Sequence, residues 1–157
     1  MALRLGGMGV PRNCDKMGSQ DQILKGLQAW AGQFYGADAT VERLVRLSGG
    51  ASQETWSLDV EHSGIVDELI LRRVPGGMSV SRNSEAIDLG TEAKLLSCAE
   101  GEVPAPKVVQ VFEPDSDIGE AFLMNRIPGQ TIARKILRDD IYSAARGRLT
   151  EQCGQAL

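Results

Sequence analysis

Apolar positions along the chain change period several times, and each change marks an element. Ile23, Leu27, Trp30 and Phe34 recur every three or four residues, the spacing of one helical face, with Ser19 suited to cap the helix and Gly36 to stop it. Residues 41–47 (VERLVRL) are β-rich. Trp56, Leu58 and Val60 then alternate with polar residues, and beyond a turn at Ser63-Gly64 comes the apolar run Leu69-Ile70-Leu71. This pattern predicts three antiparallel strands. After a Pro75-Gly76-Gly77 loop, residues 85–100 read as a helix with Leu89, Leu95, Leu96 and Ala99 apolar and Gly101 as its stop. Pro104 and Pro106 hold the following chain extended, and 108–112 and 121–127 read as two more strands joined by the polar turn PDSDIG. Leu71, Leu96, Val108 and Phe112 are the expected core.

The ends of the chain read differently from its middle. Residues 1–18 show no apolar period and predict a flexible leader, leaving 19–157 as one domain. From Leu137 onward, Ile141, Ala145, Leu149, Cys153 and Ala156 predict a final helix whose stripe still runs at Leu157, as in a fragment of a longer protein. The expected fold class is α+β: a five-stranded antiparallel sheet, one helix between its third and fourth strands, and a helix at either end.

Composition narrows the function classes. With 157 residues, 42% of them hydrophobic, one core is expected. Seventeen basic against 21 acidic residues give −4, which argues against nucleic acid or an anionic membrane as the main partner. The basic stretch from Arg134 to Arg148 is interrupted by Asp139-Asp140 and carries a single aromatic, Tyr142. Three scattered cysteines suggest no disulfide framework and fit a reducing cytoplasm, and one histidine, His62, gives no metal cluster. No apolar run is long enough for a membrane span.

Three stretches are able to carry chemistry. In LSGGASQETW (47–56) a strand runs through two glycines into another strand. Gly49 and Gly50 let the backbone approach a ligand closely, and the amides of Ala51, Ser52 and Gln53 suit phosphate oxygens; equally, this is a plain Gly-Gly turn. No Lys-Ser or Lys-Thr follows, which excludes a Walker-type loop. In ELILRRVPGG, Arg72 ends an apolar run. If that strand is central, one of Arg72 and Arg73 turns inward and needs an anion, and Glu92, on the apolar side of the 85–100 helix, is the candidate; a surface Arg and a solvated Glu remain the other reading. In AFLMNRIPG the strand end beside Met124 offers backbone groups of Asn125 and Ile127 to a flat heteroaromatic ring. His62 and Asp139-Asp140 read as surface and capping residues, and Asp115-Ser116-Asp117 as a hairpin turn that lacks the Gly and Glu of a calcium loop.

These blocks, in this order, resemble the small lobe of the protein-kinase-like fold in the aminoglycoside phosphotransferase and choline kinase family, over roughly residues 40–157. The resemblance implies a nucleotide-binding lobe of an ATP-dependent small-molecule phosphotransferase. Gly49, Gly50, Ala51, Ser52, Gln53 and Thr55 belong to the phosphate loop, Arg72 stands in the place of the phosphate-contacting lysine, and Glu92 is its partner on an αC-like helix. Met124 is the residue beside adenine, Asn125 and Ile127 the hinge contacts in a hinge at about 124–129, and 137–157 the start of a large lobe. In that family the catalytic base and the ligands of Mg2+ lie on the large lobe, in a His-Gly-Asp loop, an Asn and a second Asp, none of which occurs here. No catalytic or metal residue is therefore assigned. The partners implied are a nucleotide and, in the intact enzyme, a small-molecule hydroxyl acceptor, with self-association through the exposed lobe interface. The other reading is a non-catalytic module that binds nucleotide or a protein partner.

Overall fold

The computed structural model describes residues 14–48, 53–77 and 87–156. Helix α1 (Cys14–Phe34) is followed by strands β1 (Thr40–Arg46), β2 (Glu54–His62) and β3 (Ile65–Arg73). Helix α2 (Leu89–Ala99), strands β4 (Val108–Phe112) and β5 (Ala121–Asn125), and helices α3 (Ala133–Arg138) and α4 (Ser143–Gln155) complete the order. The architecture is α+β, with one antiparallel sheet in the order β1-β2-β3-β5-β4. None of the described helices is long and apolar enough to cross a membrane.

Local chemistry sets these elements. The β2–β3 hairpin closes on a two-residue loop in which Ser63 (φ 48) and Gly64 (φ 76) are both left-handed, with His62 opposite Ile65. Two left-handed residues twist a hairpin in the sense of its strands, which fixes the register. Asp88 caps α2, its side chain accepting from the Thr91 amide at 2.8 Å and from the Thr91 hydroxyl. Gly119 (φ 80), in the β4–β5 turn, touches the loop after β3 so closely that an added Cβ would lie 2.3 Å from the Gly77 carbonyl oxygen. Only glycine fits there.

The two faces of the sheet bury different clusters. On one, Ile23, Leu27, Trp30 and Ala31 of α1 pack against Trp56, Leu58, Val60, Leu69, Leu71, Ala121 and Leu123, with Ile118. Burying each large apolar side chain stabilises the fold by about 1.5–3 kcal/mol. On the other, Leu89 and Ala93 of α2 cover Val74 and Phe122, with Leu96, Val108 and Met124 half-buried beside them. The α2 helix spans the outer half of this face, packing against β4 and β5.

Several boundaries differ from expectation. Helix α1 starts at Cys14 instead of Ser19, so residues 14–18, expected in the leader, are helical. Phe34 is exposed and stacks on Trp30, while Ala31 takes the buried place. Leu71 is buried as expected, whereas Phe112, Val108 and Leu96 are half-buried, and Leu95 faces solvent because α2 is turned toward Leu89 and Ala93. The final helix does not run unbroken from Leu137. Chain α3 ends at Arg138, a single 3-10 turn covers Asp140–Tyr142, and α4 follows. Arg146 holds this break by donating to the carbonyls of Ile136 (2.9 Å) and Asp139 (2.8 Å), while the Asp139 side chain makes no cap. The predicted stripe buries nothing, and Ile141 is 82% exposed.

Candidate functional site

Adjacent residues of a strand face opposite ways, and at the end of β3 this sends two arginines to opposite faces. Arg73 turns toward α1 and is buried. Its Nη1 pairs with Glu54 at 2.9 Å and its Nε donates to the Ile118 carbonyl at 2.6 Å. Arg72 turns toward α2. Its Nη2 lies 3.2 Å from the Glu92 carboxylate and also donates to the Gln53 side-chain oxygen. Nε of Arg72 is buried and has no acceptor among the described residues.

That unused donor is the electrostatic feature of the site. A half-buried guanidinium has five N–H groups in a fixed fork, and here one carboxylate and one amide oxygen occupy one end of it. Thr55 and Phe122 stand opposite Arg72 in the flanking strands, and Ile70 stands between Ser57 and Met124 one row further along the same face. Glu92 sits in the first turn of α2, placed by the Asp88 cap. Arg72 and Glu92 thus pair between sheet and helix, with both side chains still partly exposed to solvent.

The rest of the expected site is partly assembled. Gln53, Thr55, Arg72, Glu92 and Met124 share the α2 side of the sheet, and Met124 packs against the Phe122 cluster. Gly49, Gly50, Ala51 and Ser52 lie outside the described residues. Asn125 is less free than expected: its amide donates to the Lys107 carbonyl at 3.0 Å and its side-chain oxygen accepts from the Lys107 amide, which ties it to the chain entering β4. The backbone groups of Ile127 have no partner among the described residues. No group of three His, Cys, Asp or Glu side chains able to hold a metal occurs among the described residues. A cavity of about 500 Å3 lies on the opposite face, between α1 and the β4–β5 turn. Asp115 and Asp117 line it, and carboxylates repel phosphate, so the Arg72 face is the better anion site.

Two clusters escaped the sequence reading. The buried Arg73–Glu54 pair was hidden because either arginine of the Arg72-Arg73 pair could have been the inward one. Arg126 was visible in the strand end but had no role, and it reaches Ser57, Asp59 and Glu68. Strand alternation places Ser57 and Asp59 on the face of Thr55, but only the sheet order brings β2 within reach of residue 126. His62 is likewise not a surface residue. Its ring is half-buried, stacks on Tyr35 with centroids 4.1 Å apart, and meets Asp67 at 3.3 Å. Burial and the Asp67 carboxylate push the Tyr35 hydroxyl well above its usual range.

The model of the phosphotransferase enzyme family matches residues 43–157, most of the chain, from within β1 through the other four strands of the sheet. The chain belongs to this family, the aminoglycoside phosphotransferase-like enzymes. Neither curated proteins nor solved structures gave a match.

Proposed function

We propose that the described part of the chain is the nucleotide-binding small lobe of an ATP-dependent, protein-kinase-like phosphotransferase acting on a small-molecule hydroxyl. The observation that carries this reading is Arg72. Its guanidinium is held by Glu92 and Gln53 at the end of the central strand, with donor capacity left over on a face lined by Thr55, Ile70 and Met124. A half-buried guanidinium with donor capacity unused among the described residues suits an anionic oxygen, and phosphate matches its geometry. ATP, when bound, supplies the phosphoryl group.

The residues of this chain bind and orient. Arg72 holds phosphate oxygens, and Glu92 and Gln53 fix the direction of Arg72. Ile70 and Met124 give the base an apolar surface, and Ile127 offers it backbone groups. In this reading a base and the ligands of a magnesium ion would come from a large lobe, while the described residues bind nucleotide, in a cytoplasmic setting. Helices α3 and α4, with no buried residue, would make it prone to self-association.

The test is thermal stability of the chain with Mg-ATP and Mg-GTP beside an Arg72→Ala control. A ligand that binds the native state raises stability, by about 2.7 kcal/mol at a hundred times its Kd. The expected result is a shift with nucleotide that disappears in Arg72→Ala. No shift at millimolar nucleotide would overturn nucleotide binding by this chain.

A further inference from the structure

The Arg126 cluster ties the segment beyond β5 to the middle of the sheet. Nη1 of Arg126 lies 2.7 Å from the Ser57 hydroxyl and 3.1 Å from the Asp59 carboxylate, and Nη2 bonds Glu68. The Arg126 amide also donates to the Glu68 carbonyl at 2.8 Å. One residue thus grips β2 twice and β3 twice.

Asp59 shows that this is more than a surface contact. Its side chain is 8% exposed, and a buried carboxylate requires compensation. Its other cation, Arg43, approaches only to 3.5 Å and is 80% exposed, so solvent screens it. Arg126 is the nearer cation, an ion pair at 3.1 Å whose carboxylate oxygen Oδ1 makes no hydrogen bond among the described residues, so the charge and not a directed bond supplies the compensation.

Arg126 directly precedes Ile127, whose backbone is the base-contacting part of the proposed nucleotide site. We infer that Arg126 is a positioning residue: through Ser57, Asp59 and Glu68 it sets the distance between the 125–127 backbone and the Ile70 side of the sheet, and so sets affinity for the nucleobase. It touches neither base nor phosphate. The inference rests on the nucleotide reading above. Lysine keeps the charge but not the planar fork, and cannot hold Ser57, Asp59 and Glu68 in the same arrangement.

The experiment uses the full chain and two ligands, ATP by calorimetric titration and adenosine by ligand-observed NMR. Arg126→Lys is compared with wild type and with Arg72→Ala, and the melting temperature of each is recorded. Arg126→Lys is expected to weaken ATP and adenosine by the same factor, about tenfold for a lost charge-assisted contact. Arg72→Ala is expected to weaken ATP and spare adenosine. If Arg126→Lys does not fold, Glu68→Gln replaces it, since that carboxylate is the exposed arm of the latch; it should weaken both ligands by a smaller common factor. Unchanged affinity for both ligands in the folded variant, with only the melting temperature lowered, would make Arg126 purely structural and overturn the inference. ATP binding that is lost in Arg72→Ala but untouched in the Arg126 variant overturns this inference and leaves the nucleotide reading standing. Absence of wild-type binding overturns both.

Discussion

The two faces of the sheet treat neighbouring arginines in opposite ways. On the α1 face, Arg73 is closed in: a carboxylate, a backbone carbonyl and a glycine-lined loop surround it, and Nε and Nη1 each have a partner. On the α2 face, Arg72 is held by Glu92 and Gln53 at one end, with a donor left over. Sequence makes the two residues equivalent, but the layers packed on the sheet do not. A charge whose bonds are complete stabilises the fold, and a charge held in place with bonds to spare is available to a ligand.

The comparison breaks most sharply at Arg73. Arg73→Ala strands Glu54 in the core, with the half-exposed Arg46 at 3.3 Å as its remaining cation among the described residues. The expected loss is about 3–5 kcal/mol of unfolding free energy, measured by urea denaturation. Next comes the loop that closes this side. Gly119→Ala forces a Cβ into the Gly77 backbone at a left-handed φ and should lower stability by about 2–3 kcal/mol in the same assay. Arg72→Ala on the open face should change stability by less than about 1 kcal/mol in the absence of ligand, because its pair with Glu92 is partly solvated. Equal losses at Arg72 and Arg73 would end the distinction.

The smallest effect concerns the cap that places Glu92. Hydrogen bonds from the Thr91 amide and hydroxyl hold the Asp88 carboxyl below its usual range. A lowered folded pKa means that the unfolded chain binds the proton more readily. The contribution of Asp88 is therefore complete above the unfolded value of about 3.9 and is lost as pH falls through the folded one. Asp88→Asn keeps a capping oxygen but removes this charge, so its stability should fall less steeply than wild type between about pH 4 and pH 3. Parallel denaturation midpoints over that range would contradict the assignment.

Periodicity carried the fold a long way. Alternation at Trp56, Leu58 and Val60 and the 3.6-residue spacing of Ile23, Leu27 and Trp30 report which side chains leave water, and that is what the sheet and α1 are built on. Where burial was absent, periodicity misled. Ile141 and Leu149 fall at helical spacing yet stay exposed, and the turn at Asp139 follows from Arg146 bonding two carbonyls, which no local pattern announces. The Arg72–Glu92 pair was legible because a charge on an apolar run demands an anion. The Arg126 latch was not, because its partners lie 58 and more residues away in sequence and converge only when β5 pairs with β3.

That pairing also bears on how the chain folds. The meander of β1, β2 and β3 forms through contacts between close neighbours in sequence, starting from the Ser63-Gly64 turn. Strand β5 reaches its place against β3 only after the ends of the segment from Arg73 to Ala121, paired in the sheet, have met. Loop-closure entropy makes the first event fast and the second slow. The hairpin should gain hydrogen-exchange protection early in refolding, and the β3–β5 amides only with the final, cooperative step.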